Sequence, residues 1–196
     1  MNAILFLLPI IAAVLVAVLR FTELGKKRDV VPGEIKETIT LKIFVLNGLL
    51  VLIVATAEYI IQDRTLTPLP FTLGLIVAIA SFVLRRAAIN GLGRFWSTQI
   101  EMRSNHEMVT SGPFQWVRHP TYLSMYLELL AILLLLNSYV GALLIVFILT
   151  PALLYRIRLE EQALIEKFGD SYRDYINSTP MLIPYRIPKS LDRAQS

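Results

Sequence analysis

The chain has 196 residues, of which 55% are hydrophobic and only 17% charged, and its mean hydropathy is +0.60. A soluble domain of this size is about half apolar and about a quarter charged; disorder is excluded, and the apolar surplus comes in blocks that mark membrane spans. With no cysteine and two histidines, disulfides, thiolate metal sites and a cysteine nucleophile are excluded, and the net charge of +4 reads as topology rather than as affinity for nucleic acid.

Residues 1–19 carry no charge and as a helix rise roughly 28 Å, close to the hydrocarbon thickness. The segment lacks a basic start and a small-residue cleavage site, so it is expected to be a retained first span. A second span is predicted over about 41–61, with Lys42 and Glu58 near its ends where long side chains reach the interface. A third follows over about 69–84, after the turn Thr67-Pro68-Leu69-Pro70. The stretch 121–155 would measure about 52 Å as one helix, too long for a single crossing. A hairpin turning near Asn137-Ser138 divides it into spans four and five. The fold class is therefore all-α, a polytopic membrane protein with five spans. If they alternate, eighteen of the nineteen Lys and Arg fall on one side. The positive-inside rule then places the N-terminus outside and the C-terminal tail in the cytoplasm. The chain divides into helices one to three (1–84) and a C-terminal region (85–196) that holds the chemistry-bearing residues.

Three segments of that region stand out. His106-Glu107-Met108-Val109-Thr110-Ser111-Gly112-Pro113-Phe114 contains turn chemistry that leaves backbone groups available to a ligand, although an ordinary interfacial loop has the same composition. Arg118-His119-Pro120-Thr121-Tyr122 puts a histidine where span four begins, since proline suits the first helical turn. The N–H groups there favour an anion, with Arg118, His119 and Tyr122 as added donors, whereas Arg and Tyr are also common interface anchors. Tyr155 to Gln162 places Arg156 and Glu160 four apart on one helix face: a surface ion pair, or an anion reader beside a cation reader. Glu128 lies inside span four, and an intramembrane acid points to a polar cavity or an arginine partner. The tail reads as a helix, a break at Gly169 and a second amphipathic helix, with Phe168, Tyr172 and Tyr175 packing it back on the spans.

In this order, the three segments, the hairpin, Arg156 with Glu160-Glu161, and Phe168-Gly169 with Tyr172 and Tyr175 resemble the isoprenylcysteine carboxyl methyltransferase family; phospholipid methyltransferases share a looser version. The resemblance spans roughly 90–182 and is to a compact prokaryotic form. It implies an integral protein of the cell membrane that uses S-adenosyl-L-methionine, releases S-adenosyl-L-homocysteine and has its site on the cytoplasmic face. It also implies cofactor contacts at His106, Glu107, Met108, Val109, Phe114, His119, Pro120, Thr121, Tyr122 and Glu160. Phe114 stands where the family often has tyrosine, so a ring is kept and a hydroxyl lost. Arg156 is implied as the catalytic residue that binds and orients the substrate carboxylate. The partners implied are a lipid-linked small molecule or prenylated peptide and membrane lipids, without nucleic acid and with no stated oligomeric state. No Gly-rich dinucleotide fingerprint occurs.

The residues agree with that chemistry. A sulfonium makes its methyl electrophilic, and a carboxylate is already an anion near neutral pH, so placement and a dry site matter more than a base. An amine N-methyltransferase is the nearest alternative; it needs a base, with Glu128 or Glu160 available. A nicotinamide-dependent reductase would have to rely on Arg103, Arg118 and Arg158 for the cofactor phosphates. A non-enzymatic scaffold or channel predicts polar residues along the spans, and these are few.

Overall fold

The computed structural model describes residues 3–24, 34–37, 39–93, 96–97, 100–102 and 108–186. Among the described residues, seven α-helices run in chain order as α1 (Ala3–Leu24), α2 (Ile39–Ile61), α3 (Pro68–Leu92), α4 (Pro120–Leu136), α5 (Tyr139–Leu144), α6 (Thr150–Phe168) and α7 (Asp170–Ser178). A π-helical turn, Ile145–Leu149, fuses α5 and α6 into one rod over Tyr139–Phe168. Four helices, α1, α2, α3 and this rod, are long and apolar enough to cross a membrane; α4 is apolar but has 17 residues. Two short strands, β1 (Glu34–Glu37) and β2 (Ile100–Met102), pair antiparallel, so the all-α expectation omits a small ribbon. It joins the α1–α2 connection to the α3–α4 connection, and strands this short carry too weak a pattern to be read from sequence.

Helix α3 continues to Leu92, past the expected end near residue 84, because the charges at Arg85 and Arg86 interrupt hydropathy without interrupting helix. Its buried face is Gly74, Ala78, Ser81, Arg85, Ala88 and Ile89, and the small residues among them let α4 approach closely. At Gly74 a Cβ would stand 2.9 Å from Leu135 Cγ and 3.1 Å from the Ala131 carbonyl oxygen. The hairpin turns where expected. Asn137 takes the left-handed conformation at φ 50°, and Ser138 caps α5 by accepting from the Gly141 N–H at 3.0 Å.

Two prolines sit inside spans, and the carbonyl that Pro9 frees is satisfied. Pro9 cannot donate to Leu5, four residues earlier; the Leu66 N–H takes that carbonyl at 3.0 Å, and the Tyr59 hydroxyl donates to the next one, Phe6, at 3.1 Å. Pro151 follows the π turn, where Thr150 Oγ1 donates to the Ile145 carbonyl at 2.8 Å and meets the Tyr126 hydroxyl at 3.0 Å. The extra residue in that turn rotates everything after it by about 100°, which sets the direction of Arg156 and Glu160.

Glu58 does not reach out to an interface. It is 6% exposed and turned inward to the start of α5, where it accepts from Ser138 Oγ, from the N–H groups of Tyr139 (3.1 Å) and Val140 (2.9 Å), and from Arg64 (3.2 Å). A carboxylate at a helix N-terminus satisfies donors that the helix cannot.

Candidate active site

At the opposite end from Glu58, α1, α2, α3, α4 and α6 leave a cavity of about 180 Å³ between them. Each helix contributes a stripe at helical spacing. From α4 come Tyr122, Met125, Glu128, Leu129 and Ile132, and from α2 Phe44, Val45, Gly48, Leu49 and Leu52. Val16, Ala17 and Arg20 of α1, Arg85 and Ile89 of α3, and Arg156 and Glu160 of α6 complete most of the wall, with Trp96 and Ser97 beyond α3. Nothing lies within 4 Å of a Cβ placed on Gly48, so that glycine keeps part of the space open.

The polar centre of the cavity is a chain through one hydroxyl. Arg156 Nε donates to the Tyr122 hydroxyl at 2.8 Å, and that hydroxyl donates to Glu160 Oε2 at 2.6 Å. Arg156 is 3% exposed, and its guanidinium lies over the Phe44 and Tyr122 rings, 5.9 and 5.8 Å from their centroids. Bonding at Nε and cation–π contact fix the plane of the fork. The i,i+4 pairing of Arg156 and Glu160 is thus realised as a bridge through Tyr122, a partner from another helix.

Deeper along α4, Glu128 is 3% exposed, lines the cavity and pairs with two arginines, Arg85 at 3.5 Å and Arg20 at 3.4 Å. Both options left by the sequence, a polar cavity and an arginine partner, are met together. The contribution of Arg20, from a helix at the far end of the chain, has no sequence signature.

Of the residues singled out from sequence, Thr121, Tyr122, Glu128, Arg156 and Glu160 converge on the cavity. His119 stands one layer behind. Its Nε2 meets Glu161 Oε1 at 3.0 Å, and its ring lies 5.6 Å from that of Tyr122. Pro120 is fully buried as the first residue of α4. Phe114 is buried with its ring edge towards Gly91 of α3, while Met108 and Val109 are half-buried. His106 and Glu107 lie outside the described residues.

Arg118 turns away from the cavity. Its Nε donates to Glu161 at 2.8 Å, and its Nη1 donates to the carbonyls of Ile176 (2.9 Å) and Thr179. The backbone N–H groups of Arg118 and His119 donate to the carbonyls of Pro180 and Met181 at 2.8 and 3.1 Å. Of the donors expected to face an anion at the start of α4, the Arg118 side chain and the N–H groups of Arg118 and His119 therefore hold the chain's own tail, while Tyr122 faces the cavity. Gly169, at φ +58°, provides the break between α6 and α7, and α7 returns so that the Tyr175 hydroxyl donates to the Phe114 carbonyl. Burial raises the pKa of both Tyr172 and Tyr175. The Glu161 and Glu160 carboxylates add to the rise at Tyr172, and Arg118 works against it at Tyr175, so both hydroxyls remain donors.

Residues 73–166, which include α4, Arg156 and Glu160, match the family model of the isoprenylcysteine carboxyl methyltransferase (ICMT) family. The uncharacterized protein YpbQ of Bacillus subtilis is 35% identical over 111 residues, covering 56% of this chain and 65% of the relative. The protein-S-isoprenylcysteine O-methyltransferase of Schizosaccharomyces pombe is 35% identical over 103 residues (52% of this chain, 44% of the relative), and that of Saccharomyces cerevisiae 31% over 121 residues (61% and 51%). The match thus spans less than two thirds of each of these relatives. A solved structure of the eukaryotic intramembrane Ras methyltransferase ICMT superposes with a TM-score of 0.56 at 24% identity, covering 72% of this chain and 52% of that one, which shows a shared fold. Over residues 73–166, just under half of its length, this chain is similar to the isoprenylcysteine carboxyl methyltransferase family.

Proposed function

We propose that this protein is an integral-membrane, S-adenosylmethionine-dependent carboxyl O-methyltransferase that esterifies a lipid-linked acceptor of the prenylated-cysteine kind. The observation that carries the reading is the Arg156–Tyr122–Glu160 chain on a cavity with an apolar side made by Phe44, Val45, Leu49 and Leu52 of α2 and by Met125, Leu129 and Ile132 of α4. One end suits an anionic head and the other an aliphatic tail. In the proposed topology α4 is the fourth of five crossings, so eighteen of nineteen Lys and Arg share the cytoplasmic side with the cavity. The methyltransferase region proper is 85–196, with α1 and α2 completing the cavity wall.

The donor set fits the cofactor. Glu160 offers a carboxylate to an ammonium or ribose hydroxyl, Tyr122 its ring, and Trp96 an aromatic face; His106 to Val109 and His119 to Thr121 are assigned to the same group by family position. When bound, the cofactor supplies a methyl already activated by the sulfonium. The protein's work is placement. Arg156, held at Nε by Tyr122 and against two rings, directs the acceptor carboxylate. Because the same Tyr122 hydroxyl bonds Glu160, acceptor and donor sites are set relative to each other. Apolar walls exclude water, and no base is required because the acceptor enters ionised.

The test is purified protein in lipid, given methyl-labelled donor and a prenylated cysteine. Base-labile label in the lipid supports the ester. Base-stable label points to an amine acceptor, with Glu128 or Glu160 as base. Absence of donor binding removes both.

A further inference from the structure

The apolar side of the cavity has a bottom as well as a mouth. Helices α2 and α4 run parallel, and contacts fix their relative height at two levels. At the mouth the Phe44 and Tyr122 rings stack at 6.5 Å. At the far end Ser138, just past α4, donates to Glu58. Between these levels α2 turns Phe44, Gly48 and Leu52 to the cavity, and α4 turns Met125, Leu129 and Ile132. Their helical spacing makes two facing apolar stripes. The charged part of the wall is turned about 100° from Leu129, where Glu128 meets Arg20 of α1 and Arg85 of α3.

Open space ends within a turn of Leu52 and Ile132. A Cβ on Gly48 meets nothing within 4 Å, whereas Ala55 Cβ already lies 3.5 Å from the point where a Cβ on Gly141 would stand. Ala13, Ala55 and Leu136 are fully buried. Among the described residues Leu52 and Ile132 are the last lining residues on their helices, so they floor a blind well. From Phe44 to Leu52 is about 12 Å along α2, and from Tyr122 to Ile132 about 15 Å along α4. Arg156 lies over the Phe44 and Tyr122 rings, so a carboxylate held by it starts at the mouth. An extended chain advances about 1.2 Å per bond, as a peptide backbone does, and the well takes roughly ten to twelve bonds from the carboxyl carbon.

Resting on the function proposed above, we propose that this well measures the acceptor's apolar chain, and that Leu52 and Ile132 are specificity-determining residues that select a chain about as long as that of S-geranylcysteine. A geranyl thioether has eleven bonds from the carboxyl carbon to its far end, about 13 Å; a farnesyl thioether has fifteen, about 18 Å. The longer chain has to fold or to leave sideways past Val45 and Leu49, which line the cavity and are 38% and 41% exposed. A shorter one leaves the floor uncovered. In an apolar pocket a mismatch of even one methylene is worth about tenfold.

The experiment gives the protein N-acetylcysteine thioethers with prenyl, geranyl, farnesyl and geranylgeranyl chains. Each is dosed as a mole fraction of lipid, so that partition does not favour the longer chains. Label transfer from the methyl donor is measured. Binding is followed in parallel by tryptophan fluorescence, Trp96 being in the wall, with S-adenosylhomocysteine present. The wild type is expected to prefer geranyl to farnesyl by about tenfold. Leu52→Ala lowers the floor and should bring farnesyl within about threefold of geranyl, whereas Gly48→Leu fills the well half-way and should move the optimum to prenyl. A response that is flat or rises with chain length in the wild type overturns the well, independently of how any variant folds, and points to an exit past Val45 and Leu49. So does a geranyl optimum that neither variant moves, since length is then set elsewhere. A geranyl optimum in binding without transfer ends the methyltransferase reading and keeps the well; transfer without a length optimum ends the well alone. No binding of any of the four ends both.

Discussion

Two buried glutamates, at opposite ends of the bundle, have contrasting surroundings. Glu58 is met at 2.9–3.2 Å by two backbone N–H groups and Arg64, and also by a serine hydroxyl. Its site is packed solid around a helix start. Glu128 is met by two full charges at 3.4 and 3.5 Å, beside open space. The first arrangement is complete without a ligand. In the second, a carboxylate bound by two cations borders a cavity that Gly48 keeps open. Burial of an acid is common to both, so burial alone does not mark a functional site. What separates them is whether the surrounding volume is closed.

The sharpest way to break this contrast is at the open end. Arg156→Ala is expected to lower kcat/KM for ester formation by about 10²–10³, the scale of losing a charged, oriented contact, while leaving donor affinity within a few fold. Tyr122→Phe keeps the ring and loses the hydroxyl shared by Arg156 and Glu160, and a loss of about tenfold to a hundredfold is expected, in both KM and kcat. Full turnover by Arg156→Ala would remove that residue from the acceptor site. At the closed end the effect is on stability. Glu58→Ala leaves Ser138, two N–H groups and Arg64 without their acceptor, and should cost about 2–3 kcal/mol in denaturant titration with kcat/KM unchanged where the protein remains folded.

Much of this architecture is legible in the chain. The apolar blocks give the spans, Asn137-Ser138 the hairpin and Gly169 the break before α7, because each rests on local propensity. Arg156 and Glu160 are legible as a helix-face pair, and Glu128 as an acid that demands a partner. What escapes is non-local or carried by backbone. Tyr122 is separated from Glu160 by 38 residues, and its role as their bridge depends on the π turn before Pro151. The tail crosses under α4 with the carbonyls of Pro180 and Met181 accepting from the N–H groups of Arg118 and His119, and backbone bonds have no residue signature. For the same reason Arg118, which reads as an anion donor from sequence, is a tail clamp in the fold. Glu58 reads as an interface residue because helix position alone does not show that the α4–α5 turn comes to meet it.

Glycines sharpen the contrast with smaller effects. Gly48→Leu grows into the cavity, where a new Cβ meets nothing within 4 Å, and is expected to change stability by less than about 1 kcal/mol while discriminating against long-chain acceptors. Gly74→Ala instead drives a methyl against Leu135 and the Ala131 carbonyl, and is expected to cost about 1–3 kcal/mol with acceptor preference unchanged. A reversed pattern would mean that the space beside Gly48 is packing slack and not an acceptor channel.

A modest effect is expected at the tail clamp, and pH makes it visible. Tyr175 donates to the Phe114 carbonyl, and burial holds its pKa above the free value, so the folded state keeps a proton that the unfolded chain releases near pH 10. Above that pH the unfolded state binds fewer protons, and stability must fall as pH rises; below it the contribution is complete. Tyr175→Phe should cost about 1 kcal/mol at neutral pH. It should also lose less stability than the wild type between about pH 9 and pH 11, because one of the two buried tyrosines no longer titrates while Tyr172 still does. Chemical denaturation across that range measures both slopes. Parallel lines for the two proteins would show that the Tyr175 hydroxyl is solvated, and that the tail is held under α4 by the Arg118 and backbone bonds alone.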